Sequence, residues 1–455
     1  MTDVTPPGRG AVAAWGLWDW AFSAFNAVAT TFVFSTYLSG SKFGDPARES
    51  ELLGAFMAVA GVTIAVVAPV AGQRTDSAGR RKLWLAVNSA IVALCLLGTV
   101  FVRDEPGYLW LGLACIAVGT VFYELAGVFY NSLLPSVSTP ATVGRVSAFG
   151  WSMGYFGGIA LLVIILVLFI LGGTDRASGL LHVTHAGGLY VRLAMLVATA
   201  WAVGFSIPVF LKVSEPAVLA PAAPEPAGRA AFLASYGDLL RNVRAIWRDS
   251  PNTIWFLVAS AIFRDGLTGV FVFGGVLGHV VFGLTTTRVL IFGIAANVVA
   301  GVTTVASGRL DDRAGPKPVI VVSLIAMSAC GLLLFATRAQ GALAFWAFGL
   351  ILCAFVGPAQ SASRTFLCRV IPPGREGEAF GLYATTGRAA IWMSPALYSA
   401  AIALAPAGPA AARTSWGILG IIVVVLIGLG ALLPVKQPGE ALRTPPGLEG
   451  ASVPQ

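Results

Sequence analysis

The sequence predicts an all-α membrane protein whose twelve transmembrane helices form two pseudo-symmetric bundles of six. Composition, the spacing of the apolar runs and a loop motif present twice support that class. Of 455 residues, 57% are apolar and 11% charged, about half the charged fraction of an ordinary soluble domain, and the mean hydropathy is +0.82. So few charges cannot cover so much apolar surface in water, and lipid must solvate most of the chain. A bilayer core about 30 Å thick takes roughly 20 apolar residues per helix, so twelve crossings use about 240 and leave the rest for loops and tails. The 53 Gly and 26 Pro lack a strict period and the five Cys form no framework, which excludes collagen and disulfide scaffolds.

Six apolar runs come first, at residues 15–37, 52–71, 83–102, 108–130, 146–171 and 189–211. The first is no cleaved signal: it lacks a basic start, is long, contains Asp19 and has no small-residue cleavage site. Six more follow at 253–282, 289–306, 319–336, 342–362, 379–405 and 416–433. The chain therefore divides into an N-terminal bundle, 1–211, a cytoplasmic linker, 212–252, a C-terminal bundle, 253–434, and a disordered cytoplasmic tail, 435–455. The linker opens on EPAVLAPAAPEPAGRAA, which is too rich in proline for one stable helix. Beyond it, Phe232, Tyr236, Leu239, Leu240, Val243 and Trp247 share a face beside Arg241, Arg244 and Arg248, the pattern of an amphipathic helix on membrane headgroups.

Charge placement sets the orientation. With both termini inside, most of the 29 Lys and Arg, Arg364 among them, fall in loops assigned to the cytoplasm. Six fall outside (Lys42, Arg48, Arg103, Arg176, Arg338 and Arg413), and Arg192, Arg264, Arg288 and Arg388 lie in or at the edges of the runs. The positive-inside rule thus accounts for the net charge of +8 without nucleic acid. Cys95, Cys115, Cys330 and Cys353 fall in apolar runs and Cys368 in a polar loop, and none reads as a disulfide.

After the second run the chain reads GQRTDSAGRRK, with Gly72, Asp76, Gly79, Arg80, Arg81 and Lys82; after the eighth it reads GRLDDRAGPKP, with Gly308, Asp312, Arg313, Gly315 and Lys317. Both follow G-x-x-x-D-x-x-G, with every shared position separated by 236 residues. One copy is a glycine turn in a basic loop; two at matching places are an internal repeat. Glycine permits the tight turn, aspartate caps a helix, and arginine pairs with carboxylates on a neighbouring helix, the parts of a conformational latch.

This loop resembles the signature of the major facilitator superfamily, in which it is a cytoplasmic latch whose ion pairs form in one access state and break in the other. The first copy has Arg74 and Ser77 where Leu and Arg are usual. WGLWDWAFSAFNAVATTFVFSTYL, FYELAGVFYNSLLPSVSTPATVGRVSAFGWSMGYFGG and EAFGLYATTGRAAIWMSPALY are similar to the vacuole-effluxer family, which includes autophagy-related vacuolar amino-acid exporters and bacterial relatives. The superfamily resemblance spans essentially the whole chain and implies the major facilitator fold; the closer resemblance of these three stretches implies export of amino acids. Trp18 and Phe22 depart from its usual Tyr and Asn.

An ionisable group at membrane depth costs roughly 2.5–3.5 kcal/mol, so each must face protein or a water-filled cavity. Asp19, Glu124, Arg264, Asp265 and Arg388 are such groups. Asp19 and Asp265 occupy related places in the two halves, and as a pair at a central cavity they would take up and release protons; on that reading Asp265→Asn abolishes gradient-driven uptake. Capping or pairing within the protein is the structural alternative for Asp19 and Glu124. Arg264 and Asp265 are adjacent and point about 100° apart. Arg388 suits a substrate carboxylate or a carboxylate of the other half. Asn26, Tyr123, Asn297, Gln360 and Tyr383 are polar or amphipathic candidates for the cavity lining. His182 and His185 have no third ligand nearby, and no metal or other cofactor is expected.

There is no nucleotide-binding P-loop, H-E-x-x-H or G-x-S-x-G elbow, so no enzyme is expected. The expectation is a proton-coupled secondary transporter of a small polar solute, monomeric in the cell membrane. The alternatives are an uncoupled facilitator of the same fold and a receptor or scaffold, and the last lacks a sizeable soluble domain.

Overall fold

The computed structural model describes residues 8–174, 177–215, 229–371 and 374–437. The proline-rich part of the linker (216–228), most of the tail (438–455) and Arg176 lie outside the described residues. Eleven helical segments among the described residues are long and apolar enough to cross a bilayer, and a broken helix supplies the twelfth crossing. In the first half these are α1 (Arg9–Leu38), α2 (Pro46–Ala78), α3 (Arg81–Thr99), α4 (Leu109–Ser132), α5 (Val143–Ile165) and α6 (Leu189–Lys212). The second has α7 (Pro251–Val280), α8 (Thr286–Ala314), α9 (Pro316–Ala336), α10 (Ala342–Val370), α11a (Glu376–Ala390) with α11b (Met393–Ala403), and α12 (Gly417–Leu432).

The irregularities have local causes. Within α1, Phe25–Phe32 is a π-helix, and both Thr30 and Thr31 hydroxyls donate to the Asn26 carbonyl at 2.8 Å, offering that oxygen a partner besides the usual amide. The α11 break falls at Ile391 and Trp392, just before Pro395. A proline ring clashes with the carbonyl four residues back but is accepted in the first turn of a new helix.

The two halves meet chiefly where α2 packs on α11a and α5 packs on α8 and α10. Since α8 and α11 are the counterparts of α2 and α5, one interface is the image of the other. Ser147 Oγ donates to Ser361 O at 2.9 Å, Ser152 Oγ to Gly301 O at 3.0 Å and Thr385 Oγ1 to Ala65 O at 3.1 Å. These three bonds all lie in the half of the molecule nearer the repeated loops, so that end is closed.

Two local expectations change. Helix α10 runs on to Val370, so Arg364 and Cys368 belong to a helix rather than a cytoplasmic loop: small residues at 361–363 let it pack on α5 instead of lipid. The linker helix (Arg229–Asp249) docks on protein as well as presenting basic residues. Arg74 Nε donates to Ser235 Oγ at 3.1 Å and the Tyr236 hydroxyl donates to Val66 O, which gives the unusual Arg74 of the first loop its partner. All five cysteines are free.

Candidate functional site

Each repeated loop turns on a left-handed glycine, Gly79 at φ 61° and Gly315 at φ 89°, a conformation other residues adopt only with strain. The turn aims each aspartate at the other half. Asp76 accepts from the amides of Gly377 at 3.0 Å and Glu378 at 2.8 Å, in the first turn of α11a. Asp312 accepts from Gly144 N at 2.8 Å and Arg145 N at 3.3 Å, in the first turn of α5. A carboxylate at a helix N-terminus satisfies orphan donors and meets the positive end of the helix dipole. The helices capped are repeat counterparts, each in the opposite half from its cap.

Arg81 joins Asp76 and Glu376, both at 2.7 Å, and donates to Ser132 O at 3.2 Å. In the second copy the bridging arginine comes from α5: Arg145 Nε lies 2.7 Å from Asp312. Arg369 approaches Asp311 at 3.7 Å and Asp312 at 3.8 Å. Arg80 and Arg313 are exposed, and Lys317 donates to Leu433 O within its own half at 2.7 Å. Gly72 and Gly308 serve in close helix contact, Gly72 against Gly377 and Gly308 against Arg145 and Ala148.

Deeper in, Arg364 of α10 reaches into the first half and is only 1% exposed. Its Nε donates to Ser147 Oγ at 3.0 Å, Nη1 to Asn131 Oδ1 at 2.9 Å, and Nη2 to the Ser147 carbonyl. The guanidinium lies 5.0 Å from the Trp15 ring, 5.3 Å from Trp151 and 5.9 Å from Tyr130, within cation–π range. Trp15, Tyr130 and Trp18 stack at successive centroid distances of 4.4 Å. Asp19 stands beside this stack, subject to the charge of Arg364 and facing Tyr130, with its carboxylate against α5 at Gly154.

Glu124 of α4 pairs with Arg388 of α11a across the halves. Arg264 of α7 covers the Tyr383 ring at 3.6 Å and donates to its carbonyl at 3.1 Å, while Tyr383 Oη meets Ser363 Oγ at 2.8 Å. Asn26 is exposed at the π-helical turn. Tyr123 stacks on Trp18 with centroids 6.5 Å apart, Asn297 bonds back to Gly293 O at 2.8 Å, and the buried Gln360 Oε1 has no hydrogen-bond partner. His185 Nε2 meets Ser178 Oγ at 2.8 Å, and no metal-binding cluster exists among the described residues.

Asp265 is not brought to Asp19. Its carboxylate accepts from Ser394 N at 2.6 Å and its carbonyl accepts from Ser394 Oγ at 3.0 Å, so it caps α11b at the break. The cap changes the expectation for its variants. Asp265→Asn keeps an acceptor oxygen and is expected to retain most uptake, whereas Asp265→Ala loses the cap and about 0.5–2 kcal/mol of stability. Melting temperature and uptake measured on both variants check this.

The model of a family described as vacuole effluxer Atg22 like matches residues 52–440. An uncharacterized MFS-type transporter of Bacillus subtilis, YxiO, is 24% identical over 93% of this chain and 94% of its own. Autophagy-related protein 22 of Cryptococcus neoformans is 25% identical over 56% of this chain, a match spanning 47% of that protein. Among solved structures, the proton:xylose symporter XylE superposes with a TM-score of 0.68 at 14% identity, covering 92% of this chain and 94% of XylE. The human organic anion transporter MFSD10 gives 0.69 at 14% identity over 93% and 98%. Both likenesses show the major facilitator fold.

Proposed function

The chain belongs to the vacuole effluxer Atg22-like family of the major facilitator superfamily and is a membrane transporter rather than an enzyme; on that premise we propose that it moves a small zwitterionic solute, an amino acid or a close analogue, by proton-coupled alternating access. Residues 1–211 and 253–434 are the rocking halves. The loop end faces the cytoplasm of the cell membrane, because its loops carry most of the Lys and Arg.

The observation that carries this reading is the Glu124–Arg388 pair, an acid of one half joined to a base of the other beyond the closed loop end. The two side chains retain 33% and 21% exposure, so the pair is reachable by a solute. An ammonium suits Glu124 and a carboxylate suits Arg388, and a zwitterion that takes both partners replaces one cross-half contact by another. Arg264, which reaches Gly387 beside Arg388, and Tyr383 beneath it supply neighbouring polar surface, Asn26 falls on the same face of α1 as Asp19, and the loop residues Asp76 and Asp312 hold the closed end.

Transport into proteoliposomes with and without an imposed pH gradient tests coupling. Uphill accumulation is expected only with the gradient; equilibration at the same rate in both conditions indicates an uncoupled facilitator. Because the pair is partly exposed, Arg388→Gln is expected to fold, with exposed ion pairs contributing about 0–1 kcal/mol. Loss of a charged hydrogen bond to the solute, about 1.5–3 kcal/mol, weakens its apparent affinity roughly 10- to 100-fold. Unchanged affinity in Arg388→Gln removes the pair from the binding site.

A further inference from the structure

Arg364 has no place in the solute reading, yet among the described residues it is the least exposed of the buried charged side chains and it reaches across the two halves. It is rooted in α10 of the second half, and its hydrogen-bond partners, Ser147 and Asn131, belong to α5 and α4 of the first. Its ring contacts, Trp15, Tyr130 and Trp151, belong to the first half as well. Those hydrogen-bond acceptors are neutral, so the cage gives each nitrogen of the guanidinium a partner without neutralising it. The nearby anion is Asp19: it lies one helical turn beyond Trp15 on α1, and its carboxylate faces Gly154, one turn beyond Trp151 on α5, so it borders the cage that those two rings form around Arg364. A buried cation with its donors met but its counter-charge removed is poorly tolerated. Opening the loop end requires α10 to withdraw from α5, and with it the guanidinium must leave the cage.

We propose that Arg364 is a charge-controlled bolt: ionised Asp19 retains the guanidinium in its first-half cage and keeps the loop end shut, and a proton on Asp19 releases it. This rests on the alternating-access reading but not on the identity of the solute. The groups around Asp19 are Tyr130 and Tyr123 of α4, Tyr155 of α5 and Arg364 of α10. The three phenols are neutral throughout the working pH range, which leaves Asp19 as the titrating member. The carboxylates of the repeated loops titrate as well, and the test separates them.

Spin labels at Ala141 and Arg309, exposed loop-end positions in opposite halves, report closure in the solute-free protein with its native cysteines replaced. The wild type is expected to show mainly the short separation at alkaline pH and to lose most of it on acidification. Asp19→Asn should show the acid-type distribution at both pH values, and Arg364→Gln likewise. Arg364→Lys keeps the charge but cannot reach all three acceptors, and should restore part of the alkaline closed population. Melting curves show that each variant is folded. Full pH dependence in Asp19→Asn would assign the switch to the loop carboxylates and overturn the proposal, as would an undiminished closed population in Arg364→Gln. Since no solute is added, loss of transport with an intact pH-driven distance change would instead count against the solute site alone.

Discussion

Asp19→Asn is expected to abolish uphill accumulation while downhill counterflow of the same solute continues. The substitution preserves the size of the side chain and one acceptor oxygen against α5 at Gly154, so the helix packing of α1 on α5 and α6 is retained. It removes the negative charge, and with it the ability to take up and release a proton. A carrier that cycles without a titrating group moves solute only down its own gradient, so the ratio of inside to outside solute falls to about one while exchange remains measurable. Steady-state accumulation under a pH gradient, measured beside counterflow in the same vesicles, reads both quantities. Wild-type accumulation by Asp19→Asn would transfer coupling to another carboxylate, with Glu124 the first to examine because it already bridges to Arg388. Asp265 is less suited to the role, because the first turn of α11b already occupies its carboxylate.

The contrast between Asp19 and Asp265 marks what a sequence can reveal. Their related positions in two six-helix halves were legible because both the repeat and the apolar runs are local patterns. The partner of Asp265 was not, because it depends on a helix break set by Pro395, far along the chain and in another crossing. Arg364 was missed for a different reason. Hydropathy summed over a window reports exposure to lipid, and Ser361, Ser363, Arg364 and Thr365 lower that sum although all four are buried in protein. The remaining signal was periodic: Gln360, Arg364 and Leu367 recur at helical spacing and continue one face of α10 past Ala362. The loop residues alone mark the two aspartates as helix caps, and only the fold shows that each caps the opposite half.

That arrangement predicts a paired result for two glycines. A side chain at Gly72 would fall on the Gly377 carbonyl, and a Cβ at Gly308 would lie 2.8 Å from Ala148 Cβ and 3.0 Å from Arg145 Cα. Both clashes occur between halves, at α2 against α11a and α8 against α5, and both exist only while the loop end is shut. Gly72→Leu and Gly308→Leu should therefore destabilise one access state rather than the fold. An overpacking cost of about 1–3 kcal/mol shifts the closed-to-open ratio roughly 5- to 150-fold toward the loop-end-open form. The rate at which a cysteine at Thr385, half-buried and bonded to Ala65 O in the closed form, reacts with a water-soluble thiol reagent should rise in the same direction. The repeat requires both substitutions to act in the same direction, since each acts at the image of the other's interface. A lowered melting temperature with unchanged labelling in either variant would mean that the glycine serves folding alone, and that closing the loop end does not require the halves to approach this tightly.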